Sequence, residues 1–145
     1  MPWKPTAPVV VPVDFSPMSS KALAVAADAV EDLSQLYVVH VAKHLDHISI
    51  ELTGDAHGAE SIRSIRQHLS DLVQQHGLSE AHQIVLEGRA GHEIASYADR
   101  ISAGLIVIPS HGYHGAKRML LGSVAEQVIR HAHCPVLVVR RTDAE

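Results

Sequence analysis

With 145 residues, 46% of them hydrophobic and 19% charged, the chain has the size and balance of one globular domain with its own core. A net charge of -4 with scattered Lys and Arg excludes an electrostatic footprint for nucleic acid or an acidic membrane surface, and no apolar run approaches the length of a membrane span. Aromatics amount to only 3%, so the core is expected to be aliphatic and alanine-rich, and the single cysteine, Cys134, excludes an internal disulfide and points to a reducing cytoplasm.

Met1-Pro2-Trp3-Lys4 shows no leader-peptide pattern and runs almost directly into Val9-Val10-Val11-Pro12-Val13, which predicts the first strand. Pro12 is awkward in a central strand because it donates no ladder hydrogen bond. It fits where pairing on that side has ended, as at the rim of a pocket. Ser16-Pro17 then supplies a cap and a first-turn proline for a helix with Ala22, Leu23, Ala26, Ala27 and Val30 on one face. Residues 36–41 predict a second strand, and residues 44–55, with little periodicity, read as the longest loop. Ile62, Ile65, Leu69, Leu72 and Val73 recur at three and four spacing, and Gly77 suits the end of that second helix. A weaker third strand covers residues 83–87, and a third helix carries Ile94, Ala95, Ala98 and Ile101 and ends before Gly104. Residues 105–108 form a fourth strand; a fourth helix opens at Gly122-Ser123 and shows Val124, Val128 and Ile129; Val136–Val139 is the fifth strand.

The strands are continuous and β-branched rather than alternating, as burial on both faces requires. Their regular exchange with helices predicts a single α/β domain over residues 1–145: an open parallel sheet with right-handed crossovers and helices on both faces. A ligand in such a sheet sits outside the carboxyl ends of the strands, where the strand order reverses.

Two carboxyl ends carry unusual chemistry. After the fourth strand, Gly112 and Gly115 let backbone approach a ligand, while Gly122 and Ser123 bring free N–H groups, a hydroxyl and a positive helix end together, which suits phosphate. The plain reading is a turn followed by a capped helix. After the first strand, Asp14 is placed to accept from an exocyclic amine such as that of adenine, or else to interact with the first helical turn. Among twelve histidines, the pairs His44/His47 and His111/His114 and the group His131/His133/Cys134 lack the spacing of a closed metal site and read as solvated side chains. No metal site is expected.

An enzyme would need more than this. Neither a G-x-x-x-x-G-K-[ST] loop nor a G-x-G-x-x-G fingerprint is present, and no carboxylate pair stands ready for Mg²⁺. Lys117 and Arg118 read as solvated, and nothing visible orients His111 or His114 as a base, so no catalytic residue is assigned. Glu87-Gly88 and Arg140-Arg141 fit poorly with a phospho-acceptor receiver, and Tyr113 alone is too little aromatic surface for a flavin carrier.

Val-Pro-Val-Asp-Phe-Ser at 11–16, Leu-Tyr-Val-Val-His-Val at 36–41, Ser-His-Gly at 110–112 followed by Leu-Leu-Gly-Ser-Val-Ala-Glu at 120–126, and His-Cys-Pro-Val-Leu-Val-Val-Arg at 133–140 resemble, together and in register, the universal stress protein family. The resemblance implies a five-stranded sheet of order 3-2-1-4-5, so that strands one and four flank the switch point. It implies binding of ATP, ADP or AMP, with Mg²⁺ or Mn²⁺ admitted beside the phosphates, and little or no catalysis. By the same resemblance Asp14 and Val41 hold the adenine, Ser110, His111 and Gly112 the ribose side, and Gly122, Ser123 and Val124 the phosphates, and Pro12, at the rim by its missing donor, is counted with them as nucleotide-binding. The family's Gly, two residues, Gly, nine residues, Gly-Ser/Thr pattern falls on Gly112 and Gly122-Ser123, but its first glycine position is Pro109, which has a fixed φ and no N–H. Two functional readings therefore stand: an adenine-nucleotide module in stress response or signalling, and a dimeric protein of the same fold with a vestigial pocket. Both carry an expected homodimer through the exposed edge of Val136–Val139, which the family commonly uses.

Overall fold

The computed structural model describes residues 7–43, 57–112 and 121–140. Five strands, β1 (Val9–Pro12), β2 (Leu36–Ala42), β3 (His82–Glu87), β4 (Leu105–Pro109) and β5 (Val136–Val139), alternate with helices α1 (Pro17–Ala29), α2 (His57–Gln75), α3 (Ala90–Arg100) and α4 (Ser123–His131). Every pairing is parallel and the order is β3-β2-β1-β4-β5, the open sheet that the sequence implies.

Alternate residues of the central strands serve two different cores. Val9, Val11, Leu36, Val38, Leu105 and Val107 face α1 and α2 and meet Ala22, Leu23, Ala26, Leu69 and Val73. Val10, Val39, Ile106 and Ile108 face α3 and α4 and meet Ile94, Ala98, Ala125 and Val128. This is why β1 reads as an unbroken aliphatic run: both of its faces are covered. Alanines on α1 and α3 let helix backbones come close to the sheet, which a core poor in aromatics requires.

Pro12 meets the condition set for it. The Val13 N–H donates to the Val39 carbonyl on β2 at 2.8 Å, so by alternation the nitrogen of Pro12 faces β4. The β1–β4 register ends at Val10↔Ile106, before Pro12. Beyond it Phe15 adopts a left-handed backbone, φ 64°, and its ring lies 4.6 Å from that of His40. The His40 Nδ1–H donates to the Val13 carbonyl at 2.8 Å, which ties β2 to the end of β1.

Several local expectations need correction. Ser16 is the N-cap of α1, but its hydroxyl makes no capping bond and is buried without a partner; Asp14 accepts from the Ser16 N–H instead. On α4 the buried face is Ala125 and Val128, while Val124 and Ile129 are exposed, so of the three apolar residues noted on this helix only Val128 points inward. A short 3-10 turn at Leu33–Gln35 precedes β2, capped by the Asp32 carboxylate, whose bonds to Ser34 lower its pKa. Gly77 does end α2, with φ +68° and the Leu78 N–H returned to the Val73 carbonyl at 2.9 Å. The long loop at 44–55 and the tail at 142–145 lie outside the described residues.

Candidate functional site

At the carboxyl ends of β1, β2 and β4, where the strand order reverses, the sheet parts around a cavity of about 370 Å³. The nine residues expected at a nucleotide stand on its wall: Pro12 at the end of β1 and Asp14 just beyond it, Val41 from β2, Ser110, His111 and Gly112 after β4, and Gly122, Ser123 and Val124 at the start of α4. They converge because one structural event, the divergence of β1 from β4, exposes all of these segments to the same space.

Asp14 takes the helix-flanking role with one of its two carboxylate oxygens. Oδ1 accepts from the Ser16 N–H at 3.0 Å and from the Ser19 hydroxyl at 3.1 Å, while the Ser19 oxygen accepts the Asp14 N–H at 3.1 Å. One oxygen thus holds the start of α1. The other, Oδ2, is turned to Gly112, where a Cβ would collide with it. Gly112 is therefore required by the close approach of Asp14, and the two mark where the ends of β1 and β4 face each other.

The phosphate end of the expected site is built differently from the sequence reading. The Gly122 N–H is not free: it donates to the Ser110 carbonyl at 2.6 Å. Gly122 is the N-cap of α4, and the Glu126 N–H returns to its carbonyl at 3.0 Å. The amides left without an intrahelical acceptor are those of Ser123, Val124 and Ala125, the first three of the helix. Glu126, the acid in that first turn, is held at 3.0 Å by Arg130, which tempers its repulsion of an anion.

Sequence reasoning missed part of the wall. Val39 lines the cavity two residues from Val41, as strand alternation requires, and His40 is also there. Ala90 and Ile94 bring in the first turn of α3, which no motif signalled. His111 is not the solvated, unoriented side chain expected from sequence: it is 7% exposed, with Nδ1 at 3.1 Å from the Ser110 hydroxyl and Nε2 buried without a hydrogen-bond partner. Of the other sequence candidates, Tyr113, His114, Gly115, Lys117, Arg118, Arg141, His44 and His47 lie outside the described residues. Burial raises the pKa of the Cys134 thiol and the charge of Asp99 adds to it, so the group is held as the thiol. Among the described residues no group of three or more His, Cys, Asp or Glu is placed to hold a metal, and no helix is long and apolar enough to cross a membrane.

A parallel 3-2-1-4-5 sheet with a crevice between strands one and four, a carboxylate on one lip and a helix N-terminus on the other, defines a class of α/β small-ligand-binding domains. Comparison with known proteins narrows the class. The model of the universal stress protein family matches residues 6–140, and the chain belongs to that family. It is 33% identical over 145 residues to universal stress protein YxiE of Bacillus subtilis, covering 91% of this chain and 97% of that protein. The solved structure of hypothetical protein MJ0577 of Methanocaldococcus jannaschii is similar at TM-score 0.79 and 25% identity, covering 96% of this chain and 99% of that one. So is that of the universal stress protein from Archaeoglobus fulgidus in complex with dAMP, at TM-score 0.60 and 25% identity, covering 91% and 96%.

Proposed function

We propose that the cavity binds an adenine nucleotide, ATP, ADP or AMP, and that the protein is a nucleotide-binding module in stress response or signalling with little or no catalysis. The observation that carries this reading is the convergence of Asp14, Val41 and the free amides of α4 on one cavity of about 370 Å³, within the range of small-molecule sites. The dAMP held by the similar Archaeoglobus protein supports adenine as the base. In this reading Asp14 and Val41 meet the adenine, Ser110 to Gly112 the ribose side, and the start of α4 the phosphates, through Ser123 and Val124 rather than the occupied Gly122 amide. Mg²⁺ or Mn²⁺ would be carried by the phosphates and water. The lone cysteine favours the cytoplasm, and the open edge of β5 favours a homodimer.

Calorimetry with ATP, ADP and AMP in the presence of Mg²⁺ is expected to show saturable binding with one site per chain. Absence of heat and of any thermal shift at millimolar nucleotide would overturn the reading and leave a family member with a vestigial pocket. Hydrolysis is expected to lie far below the typical enzyme turnover of about 10 per second, because no carboxylate pair among the described residues stands at the phosphate end to hold a metal ion. A turnover in that range that is lost in Ser123→Ala would refute this.

A further inference from the structure

Two consecutive rungs are missing between β1 and β4, and proline removes both. Along β1 the even residues, Val10 and Pro12, turn their nitrogens to β4, since Val13 donates to β2. Along β4 the Ile106 N–H donates to the Pro135 carbonyl at 3.0 Å, and Ser110 just beyond the strand donates to Val139 at 2.8 Å. Both bonds run toward β5, so the nitrogens of Val107 and Pro109 face β1. The register Val9↔Leu105, Val10↔Ile106 fixes what would follow: residue 12 donating to the Val107 carbonyl, then residue 109 donating to the Pro12 carbonyl. Both donors are absent. Pairing continues on the outer sides, to Pro12↔Val39 and Pro109↔Val139, so only the seam between β1 and β4 opens. Both prolines stand on the cavity wall.

We propose that Pro109 is a positioning residue of the pocket, holding the β1–β4 seam apart and keeping the Pro12 carbonyl oxygen free to accept from a ribose hydroxyl or the exocyclic amine of the ligand. The ligand half of this proposal rests on the nucleotide reading; the seam half does not. An N–H at position 109 can reach the Pro12 carbonyl whether or not residue 12 donates, so Pro12 alone leaves the seam free to close by one rung. Pro109 prevents that. The proline at the family's first glycine position then serves the pocket rather than impairing it.

The test uses Pro109→Ala and Pro109→Gly in the full chain, the glycine variant introducing the same amide with no side chain. In the nucleotide-free variants the new amide at 109 is expected to be protected from hydrogen exchange, as a ladder amide is, and affinity for ATP to fall about fivefold, the worth of one hydrogen bond the ligand must displace. A freely exchanging amide at 109 in both variants, or an affinity that rises because the restored N–H serves the ligand, would overturn the proposal. If neither the unsubstituted protein nor the variants bind nucleotide, the functional reading fails, and the exchange of amide 109 alone still decides whether proline holds the seam.

Discussion

Gly122→Val is expected to reduce nucleotide affinity at least a hundredfold while the domain remains folded. A Cβ at this position would stand 3.1 Å from the Ser110 carbonyl oxygen and 3.6 Å from the His111 Cα, both backbone atoms. The added side chain therefore projects across the gap between the start of α4 and the end of β4, and its two methyls occupy the approach to the Ser123 and Val124 amides. Hydrogen bonds to a charged phosphate contribute roughly 1.5–3 kcal/mol each, so the loss of one or two accounts for the hundredfold. The backbone at Gly122, φ -74° and ψ 164°, is open to any residue, so no backbone strain accompanies the change. The stability cost comes from crowding the 2.6 Å bond to Ser110 and should be about 1–3 kcal/mol. Titration calorimetry beside a thermal melt separates the two effects. A folded variant that binds within threefold of the unsubstituted protein would show that phosphate does not approach α4.

The parts of this site legible in the sequence are those where local chemistry alone requires the geometry. Strand β1 shows itself as an aliphatic run because both faces are buried, and Pro12 shows where pairing stops because it lacks a donor. Gly112 and Gly122 stand out because each is approached closely by another segment, Asp14 in one case and Ser110 in the other. What could not be read are features set by distant neighbours. The occupied amide of Gly122 depends on a carbonyl twelve positions away, and the entry of Ala90 and Ile94 into the cavity depends on how α3 crosses the sheet. The inward face of α4 could not be read either: Val124 and Ile129 are more hydrophobic than Ala125, yet the small residue is the one pressed against the sheet, where volume rather than hydrophobicity decides. The meaning of Pro109 needed the register: its missing N–H is visible in the sequence, but not the strand toward which it is missing.

Leu137→Lys is expected to convert a homodimer into a monomer without unfolding it. β5 is an edge strand, bonded on one side only. The alternation that sends the Ile108 and Ser110 amides toward β5 leaves the N–H and C=O groups of Val136 and Val138 pointing outward, unpaired by this chain's sheet. A two-fold axis at Leu137 lets Val136 of one copy exchange hydrogen bonds with Val138 of the other, so that both edges are satisfied by the same short segment. Leu137 is 44% exposed, a large apolar side chain facing water on an edge. In the antiparallel pair it meets its own copy, about 5 Å away between Cβ atoms, so lysine there sets two like charges directly opposite each other. Val138 is the wrong position for this experiment despite lying on the same edge, because its side chain packs against the core shared with α4 and a lysine would disturb the fold as well. Light scattering at tens of micromolar should give twice the chain mass for the unsubstituted protein and the chain mass for Leu137→Lys, with unchanged circular dichroism. A monomer mass for the unsubstituted protein, or a dimer that survives the lysine, would mean that the edge of β5 is not the surface by which two copies meet.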